Sequence, residues 1–189
     1  MASDQPLRKP DPTEKYFDVE PSISLVAIEE LIRGSKLEVV AVFNATDCLL
    51  FAPKAGVEEQ VTLTPAEQAL IPALCTLTHS HPENYTLSLA DVLVASQLDL
   101  KEVRAVGPQQ TFFARRPTRG WPSERKIIIT YTEAIKTADN VLSRLEERSG
   151  KPIGSSKRAE LFRQTYNRCV REQLAKIGIR TKESNTDTE

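Results

Sequence analysis

Short apolar runs rich in β-branched residues alternate with capped helix starts between residues 22 and 114, and this alternation restricts the fold most. A run such as EVVAVF at 38–43 suits a strand, because β-branched side chains pack well on a pleated surface. Thr64, followed by Pro65 and then by Glu67, has capping-box spacing and predicts a helix start. The chain is therefore expected to have an α/β (α+β) fold. The predicted order is a helix capped by Ser22 or Ser24 and ending at Ile32, a hairpin of strands at 38–43 and 48–51, a helix at 65–71, a strand at 73–78, a helix at 88–98, and strands at 103–106 and 111–114.

After residue 120 the pattern changes to two long amphipathic helices. Apolar residues recur at helical spacing over 123–148, despite the strand-like KIIIT, and SGKP at 149–152 ends this helix. A second helix carries an apolar face over 161–177. The first 21 residues hold four prolines and few aliphatic side chains, too little apolar surface to offset ordering entropy. The predicted organisation is a flexible N-terminal arm at 1–21, a main domain at 22–120, a C-terminal helical extension at 121–180 and a disordered tail at 181–189.

Composition narrows the class of protein. The chain has 189 residues, of which 40% are hydrophobic and 27% charged, as in soluble globular proteins. We expect a cytoplasmic protein without membrane attachment, because no apolar run could cross a bilayer and the N-terminus lacks the features of a secretory signal. Cys48, Cys75 and Cys169 are expected to be buried reduced thiols, since an odd, widely spaced set suits neither a disulfide framework nor a cysteine zinc site.

Basic residues near aromatic residues are the feature that could bind nucleic acid. The segment 112–121 contains Phe112, Phe113, Arg115, Arg116, Arg119 and Trp121. Acids such as Glu160 and Glu172 interleave with the basic residues of the last helix, as on an ordinary solvated face, and the net charge is −1. Nucleic acid is therefore not expected as a partner. Trp121 is expected to be a packing anchor, and the C-terminal helices could pack on this sheet or form a homo-oligomer with a second copy.

The two histidines of the chain, His79 and His81, are one residue apart at the end of a predicted strand. On extended backbone, an H-x-H pair points to one side, where a single divalent ion can bridge both imidazoles. A catalytic zinc takes three protein ligands, and Asp91 is the nearest third candidate after the loop. Two other readings remain open: the histidines could be solvated loop residues, and Ser88 with Asp91 could be only a helix cap.

The block His79-x-His81-Pro82 followed by Ser88-x-x-Asp91 resembles the motif of the JAMM (or JAB) metalloproteases, which include deubiquitinases, and is most similar to the bacterial and phage members. The likeness covers about residues 38–117. It implies a JAMM-like central mixed sheet flanked by helices, to which this chain adds a two-helix C-terminal extension. Two departures are a six-residue loop between His81 and Ser88, slightly shorter than the common form, and Ser80 where asparagine is frequent.

By this resemblance, His79, His81 and Asp91 would bind Zn²⁺, which would activate a water. Glu38 would be the general base, because the family keeps a glutamate on the first strand, and Ser88 would stabilise the oxyanion. Glu58, Glu59 and Glu67 also precede the motif, and Glu67 is better explained as a cap partner.

The implied function is a zinc-dependent peptidase or isopeptidase acting on a protein or peptide substrate, such as a ubiquitin-like conjugate. The alternative is a catalytically inactive JAMM-like scaffold that binds a protein partner, because a fold does not by itself determine activity.

Overall fold

In a computed structural model of the chain, the described residues are 15–16, 19–56 and 61–185, and they form one mixed sheet with five helices. The predicted α+β class and the two-helix C-terminal extension are confirmed. The elements are β1 (Lys15–Tyr16), α1 (Leu25–Ile32), β2 (Val39–Phe43), β3 (Lys54–Ala55), α2 (Pro65–Ala69), β4 (Thr76–Ser80), α3 (Leu89–Gln97), β5 (Glu102–Val106), β6 (Gln110–Arg115), α4 (Glu124–Ser149), α5 (Ser155–Lys176) and β7 (Arg180–Asn185).

The strands lie in the order β1-β3-β2-β4-β5-β6-β7 across the sheet. β4 and β5 are parallel and joined by α3, whereas the other neighbouring strands of the described sheet are antiparallel. In the antiparallel pair of β2 and β4, Val40 lies opposite His79. The end of β4 therefore adjoins both the start of β2 and the beginning of α3, and a site at this edge can draw side chains from all three elements.

The sheet separates two hydrophobic cores. Alternation along β2 turns Val40 and Val42 towards the core shared with α3, α4 and α5, and turns the intervening residues towards α1. The larger core includes Tyr131 from α4 and Val170 from α5, both almost completely buried. The C-terminal extension thus packs on the same core as the sheet.

Local sequence signals define the helix starts. Ser24 caps α1, because its Oγ accepts a hydrogen bond from the Ala27 backbone N–H at 3.2 Å. Thr64 and Glu67 form the predicted reciprocal capping box of α2.

Within the described ranges, no helix combines the length and apolarity needed to cross a membrane.

The prediction of a second hairpin strand at 48–51 is wrong. Leu49 makes only an isolated bridge to Phe43, and β2 pairs instead with β3, at Lys54–Ala55. The Asn44 side chain accepts hydrogen bonds from the backbone N–H groups of Thr46 and Cys48, which holds this segment in a turn. Cys48 is consequently exposed, contrary to the expectation of a buried thiol, whereas Cys75 and Cys169 are buried as predicted.

The C-terminal end also differs from the prediction. Residues 181–185 of the predicted disordered tail belong to β7, which pairs along its length with β6. The polar sequence RTKESN lacks the apolar alternation of a strand, and its backbone hydrogen bonds to β6 provide the pairing. Residues 186–189 of the tail lie outside the described residues.

Of the predicted N-terminal arm, residues 1–14 and 17–18 also lie outside the described residues. Lys15–Tyr16 of this arm forms β1, which pairs with β3.

Acidic partners neutralise two of the arginines near Trp121. Arg116 forms an ion pair with Asp99 at 2.6 Å, and Arg115 pairs with Glu102. The indole N–H of Trp121 donates to the Leu100 carbonyl at 2.8 Å while the ring packs on the larger core. Trp121 is therefore the packing anchor that the sequence predicts.

Candidate metal centre

The end of β4 and the start of α3 position the three candidate ligands. β4 extends beyond its predicted end, so that His79 lies within the strand. His81 follows directly, and its backbone N–H donates to the Val106 carbonyl at 2.9 Å. Because side chains alternate along extended backbone, both imidazoles point to the same side. Asp91 lies in the first turn of α3 and completes the group.

The three side chains converge on one point. The Nε2 atoms of His79 and His81 are 2.9 Å apart, and the Asp91 carboxylate oxygens lie 3.2 Å from Nε2 of His79 and 3.6 Å from Nε2 of His81. A zinc ion bound tetrahedrally at about 2.0–2.1 Å separates neighbouring ligand atoms by about 3.3 Å. The observed distances bracket that value. Two imidazoles and a carboxylate are also a donor set that zinc accepts, so this group could hold a metal ion.

The surroundings of the Nδ1 atoms of His79 and His81 also bear on how the two imidazoles are held. Nδ1 of His81 lies 3.1 Å from the Tyr85 carbonyl oxygen, which can only accept, so Nδ1 donates to this carbonyl while Nε2 faces the site. Nδ1 of His79 is buried and completes no hydrogen bond with the described residues, although the Arg104 backbone lies close enough to influence its pKa. A histidine with a buried Nδ1 and an Nε2 aimed at two other ligand atoms is placed to bind a cation.

His79 and Asp91 each shift the pKa of the other. Burial by itself would lower the pKa of His79, but the charge and hydrogen bond of Asp91, the charge of Glu38 and the Arg104 backbone outweigh it and raise that pKa. Burial by itself would raise the pKa of Asp91, but His79 and His81 hold it well below its usual range. The carboxylate is therefore ionised beside the two imidazoles.

Ser88 and Asp91 form a helix cap and also line the candidate site. The Ser88 backbone N–H donates to Oδ2 of Asp91 at 2.6 Å, and the Asp91 N–H donates to Oγ of Ser88 at 3.2 Å. This is a capping box, one of the two readings that the sequence leaves open. The cap fixes the carboxylate while Oδ1 faces His79, so capping and metal binding are compatible.

Glu38 lies immediately before β2, on the side of the sheet that carries the histidines. Val40 is level with His79 in the register, and continuing that register brings Glu38 level with His81. Its Oε2 accepts a hydrogen bond from the Val61 backbone N–H at 3.0 Å, which orients the carboxylate along the wall of the site.

The other glutamates before the motif are placed differently. Glu67 accepts a hydrogen bond from the Thr64 backbone N–H at 2.6 Å and forms an ion pair with Lys54 at 3.1 Å, which confirms its role as a cap partner. Glu58 and Glu59 lie outside the described residues. Glu38 is the one of the four shown beside the histidines.

A cavity of about 700 Å³ opens beside the three ligands. Glu38, Ser88 and the ligands line one part of it, so the structure brings all five predicted site residues to one cavity. Glu83 adds a third carboxylate to those of Glu38 and Asp91, and among the described residues that line the cavity there is no lysine or arginine. The apolar part of the lining includes Val40, Val61, Leu63, Leu77, Val94 and Val103.

Two buried polar residues from the C-terminal helices approach the site, and the sequence analysis missed both as site residues. The Tyr131 hydroxyl of α4 donates to the Leu87 carbonyl at 2.9 Å, and burial, together with the charges of Asp91 and Tyr166, raises the pKa of Tyr131 well above its usual value. Asn167 of α5 hydrogen-bonds to the loop that follows His81. A polar residue on the apolar face of an amphipathic helix is the signal that could have identified Asn167.

Comparison of the chain with protein-family models, with curated proteins and with solved structures found no match in any of the three.

Proposed function

We propose that the chain is a zinc-dependent peptidase or isopeptidase of the JAMM type. The observation that carries this proposal is the convergence of His79, His81 and Asp91, with their ligand atoms within 4.8 Å of one another, on one side of a cavity lined by Glu38. The resemblance of the sequence motif and the ionised state of Asp91 support the same assignment.

When bound, zinc supplies Lewis acidity, which lowers the pKa of a coordinated water towards neutrality and polarises an amide carbonyl. Glu38 accepts the proton of the attacking water and returns it to the leaving amine. Its hydrogen bond from Val61 leaves the second carboxylate oxygen to take that proton. Oγ of Ser88 accepts from the Asp91 N–H, and its own hydrogen can be donated to the oxyanion that develops on the substrate carbonyl.

The lining of the cavity supports a polypeptide substrate. Apolar side chains from β2, β4 and β5 form a surface on which an aliphatic substrate side chain can bury area. Glu38 and Glu83, two carboxylates outside the ligand set, make the cavity unfavourable for an acidic side chain, since the described part of the lining offers no lysine or arginine to pair with it. We therefore propose a protein or peptide substrate, with a ubiquitin-like conjugate as one candidate.

The first experiment is elemental analysis of protein purified without a metal-affinity tag, comparing wild type with the double variant His79→Ala/His81→Ala. The proposal expects about one zinc per chain in the wild type and none in the variant. Hydrolysis of peptide and isopeptide substrates by the zinc-loaded protein then tests the reaction class. Wild-type protein that takes up no zinc when it is offered would refute the proposal and favour the inactive scaffold.

A further inference from the structure

We infer that Asn167 of α5 is a positioning residue of the metal centre, which fixes the backbone on both sides of Tyr85 so that the Tyr85 carbonyl orients His81. The inference about zinc affinity rests on the metal centre proposed above, whereas the orientation of His81 is a property of the chain itself.

The Asn167 amide bridges two backbone groups of the loop. Its Oδ1 accepts a hydrogen bond from the Thr86 N–H at 3.0 Å, and its Nδ2 donates to the Asn84 carbonyl at 2.9 Å. These two groups flank Tyr85, whose carbonyl accepts from Nδ1 of His81 at 3.1 Å. One side chain of α5 therefore holds the peptide segment that holds the histidine.

The loop has no regular secondary structure to hold it in place. Residues 81–88 lie between the end of β4 and the cap of α3 without strand or helix geometry. Asn167 is only 9% exposed; its hydrogen bond from Thr86 is buried and its hydrogen bond to Asn84 is partly buried, which limits competition from water. Loss of the hydrogen bond from Thr86 would leave a buried backbone N–H of the loop without this partner, which favours rearrangement of the loop.

The position of Asn167 on α5 connects this clamp to the core. Cys169, Val170 and Leu174 of the same helix are buried in the larger core, and they hold the helix against the sheet. The C-terminal extension thus contributes to the metal centre through the loop that holds the Tyr85 carbonyl. Outer partners that fix the orientation of a ligating imidazole typically change metal affinity 10–100-fold.

Zinc affinity of the full-length protein tests the inference, measured by competition with a chromophoric chelator. Asn167→Leu, which keeps the approximate size and removes both hydrogen bonds, is expected to weaken zinc binding by about 10–100-fold. The matched control is Val170→Ala, which removes packing from the same helix and lowers thermal stability but is expected to keep zinc affinity. Equal zinc affinity in folded Asn167→Leu and wild type would overturn the inference.

A second measurement works without metal. Nitrogen-15 NMR of the imidazoles should show metal-free wild-type His81 with its hydrogen on Nδ1, and Asn167→Leu should show a mixture of tautomers. Asn167→Asp keeps an acceptor for Thr86 and loses the donor to Asn84, so its fraction of the Nδ1–H tautomer should lie between those of wild type and Asn167→Leu. This variant serves as the test if the leucine variant does not fold. An unchanged His81 tautomer in these variants contradicts the inference. Failure of wild type to bind zinc contradicts only the proposed function.

Discussion

The Ser88 N–H donates to Oδ2 of Asp91 at 2.6 Å, while Oδ1 of the same carboxylate lies 3.2 Å from Nε2 of His79. A single side chain thus caps α3 and faces the histidines. Sequence alone presents these as competing explanations of the S-x-x-D spacing, and the geometry combines them. Substitution can separate these two roles, because capping of α3 depends on hydrogen-bond acceptance and the proposed metal binding depends on charge.

Asp91→Asn should separate them. The amide oxygen can still accept from the Ser88 N–H, so the stability of α3 should change little, whereas loss of the carboxylate should weaken zinc binding by more than the roughly 100-fold typical of an outer partner. Ser88→Ala should do the reverse, costing about 1 kcal/mol in the free energy of unfolding while retaining zinc. Urea unfolding and zinc titration of both variants provide the check. Similar zinc affinity in Asp91→Asn and wild type would remove Asp91 from the ligand set.

Glu38→Gln should retain zinc and lose turnover by roughly 10²–10⁴-fold, because a glutamine cannot accept the proton of the attacking water. Its amide oxygen can still accept from the Val61 N–H, so the wall of the cavity should be preserved. The matched control is Glu30→Gln, on the exposed surface of α1, where Glu30 pairs with Arg33. Steady-state kinetics on a hydrolysed substrate provide the measurement. A Glu38→Gln variant as active as Glu30→Gln would exclude Glu38 as the base.

The capping box of α2 predicts a pH-dependent contribution to stability. Burial would raise the pKa of Glu67, but hydrogen bonds from Thr64 and the interaction with Lys54 lower it below the usual 4.5. Since the folded state lowers this pKa, the stabilisation is present above pH 4.5 and is lost as the pH falls through the lowered value. Glu67→Gln can keep the capping box but loses the charge beside Lys54 and the helix start, so it should be less stable than wild type by about 0.3–1 kcal/mol at pH 7, and the difference should narrow in acid. A difference that stays constant from pH 7 to acid would contradict this account.

The three cysteines should react at different rates with a thiol reagent such as dithionitrobenzoate. Cys48 is exposed and should react at once. Burial raises the pKa of the Cys75 thiol, and burial together with Glu172 raises that of Cys169, so both should react only after unfolding. Cys48→Ser should abolish the rapid phase. Rapid labelling of a second thiol in the folded protein would show that one of the buried positions opens.

Hydroxamates of single amino acids probe the cavity without knowledge of the natural substrate. On zinc-loaded protein, the leucine hydroxamate should bind more tightly than the aspartate hydroxamate, because the lining combines apolar side chains with Glu38 and Glu83, two carboxylates outside the ligand set. Calorimetry gives both affinities directly. Tighter binding of the aspartate compound would mean that the side chain lies outside this cavity.

Features governed by neighbouring residues were predictable from the sequence. Thr64 with Glu67 and Ser88 with Asp91 are caps within one turn, and the runs that form β2 and β6 have the composition of strands. The H-x-H spacing identified two candidate ligands, because side chains two residues apart on a strand point to the same side whatever the rest of the fold is.

Features set by distant parts of the chain were not predictable. The polar sequence of β7 becomes a strand because β6 offers an unpaired edge, and nothing in RTKESN signals it. Leu49 is bridged to Phe43, but the side chain of Asn44 sets a turn that moves the paired strand to Lys54–Ala55. Asn167 meets Thr86 across 81 positions of sequence, so its role is invisible without the fold.

The clamp between α5 and the loop also implies an order of assembly. The three candidate ligands lie within a short stretch of chain, so they can be gathered at a small loop-closure cost once β4 and α3 form. The Asn167 contacts with Thr86 and Asn84 close loops of 81 and 83 positions and are expected to form late in folding. On the proposed function, a nascent chain would bind zinc only weakly before its C-terminal helices dock, and docking would then strengthen zinc binding.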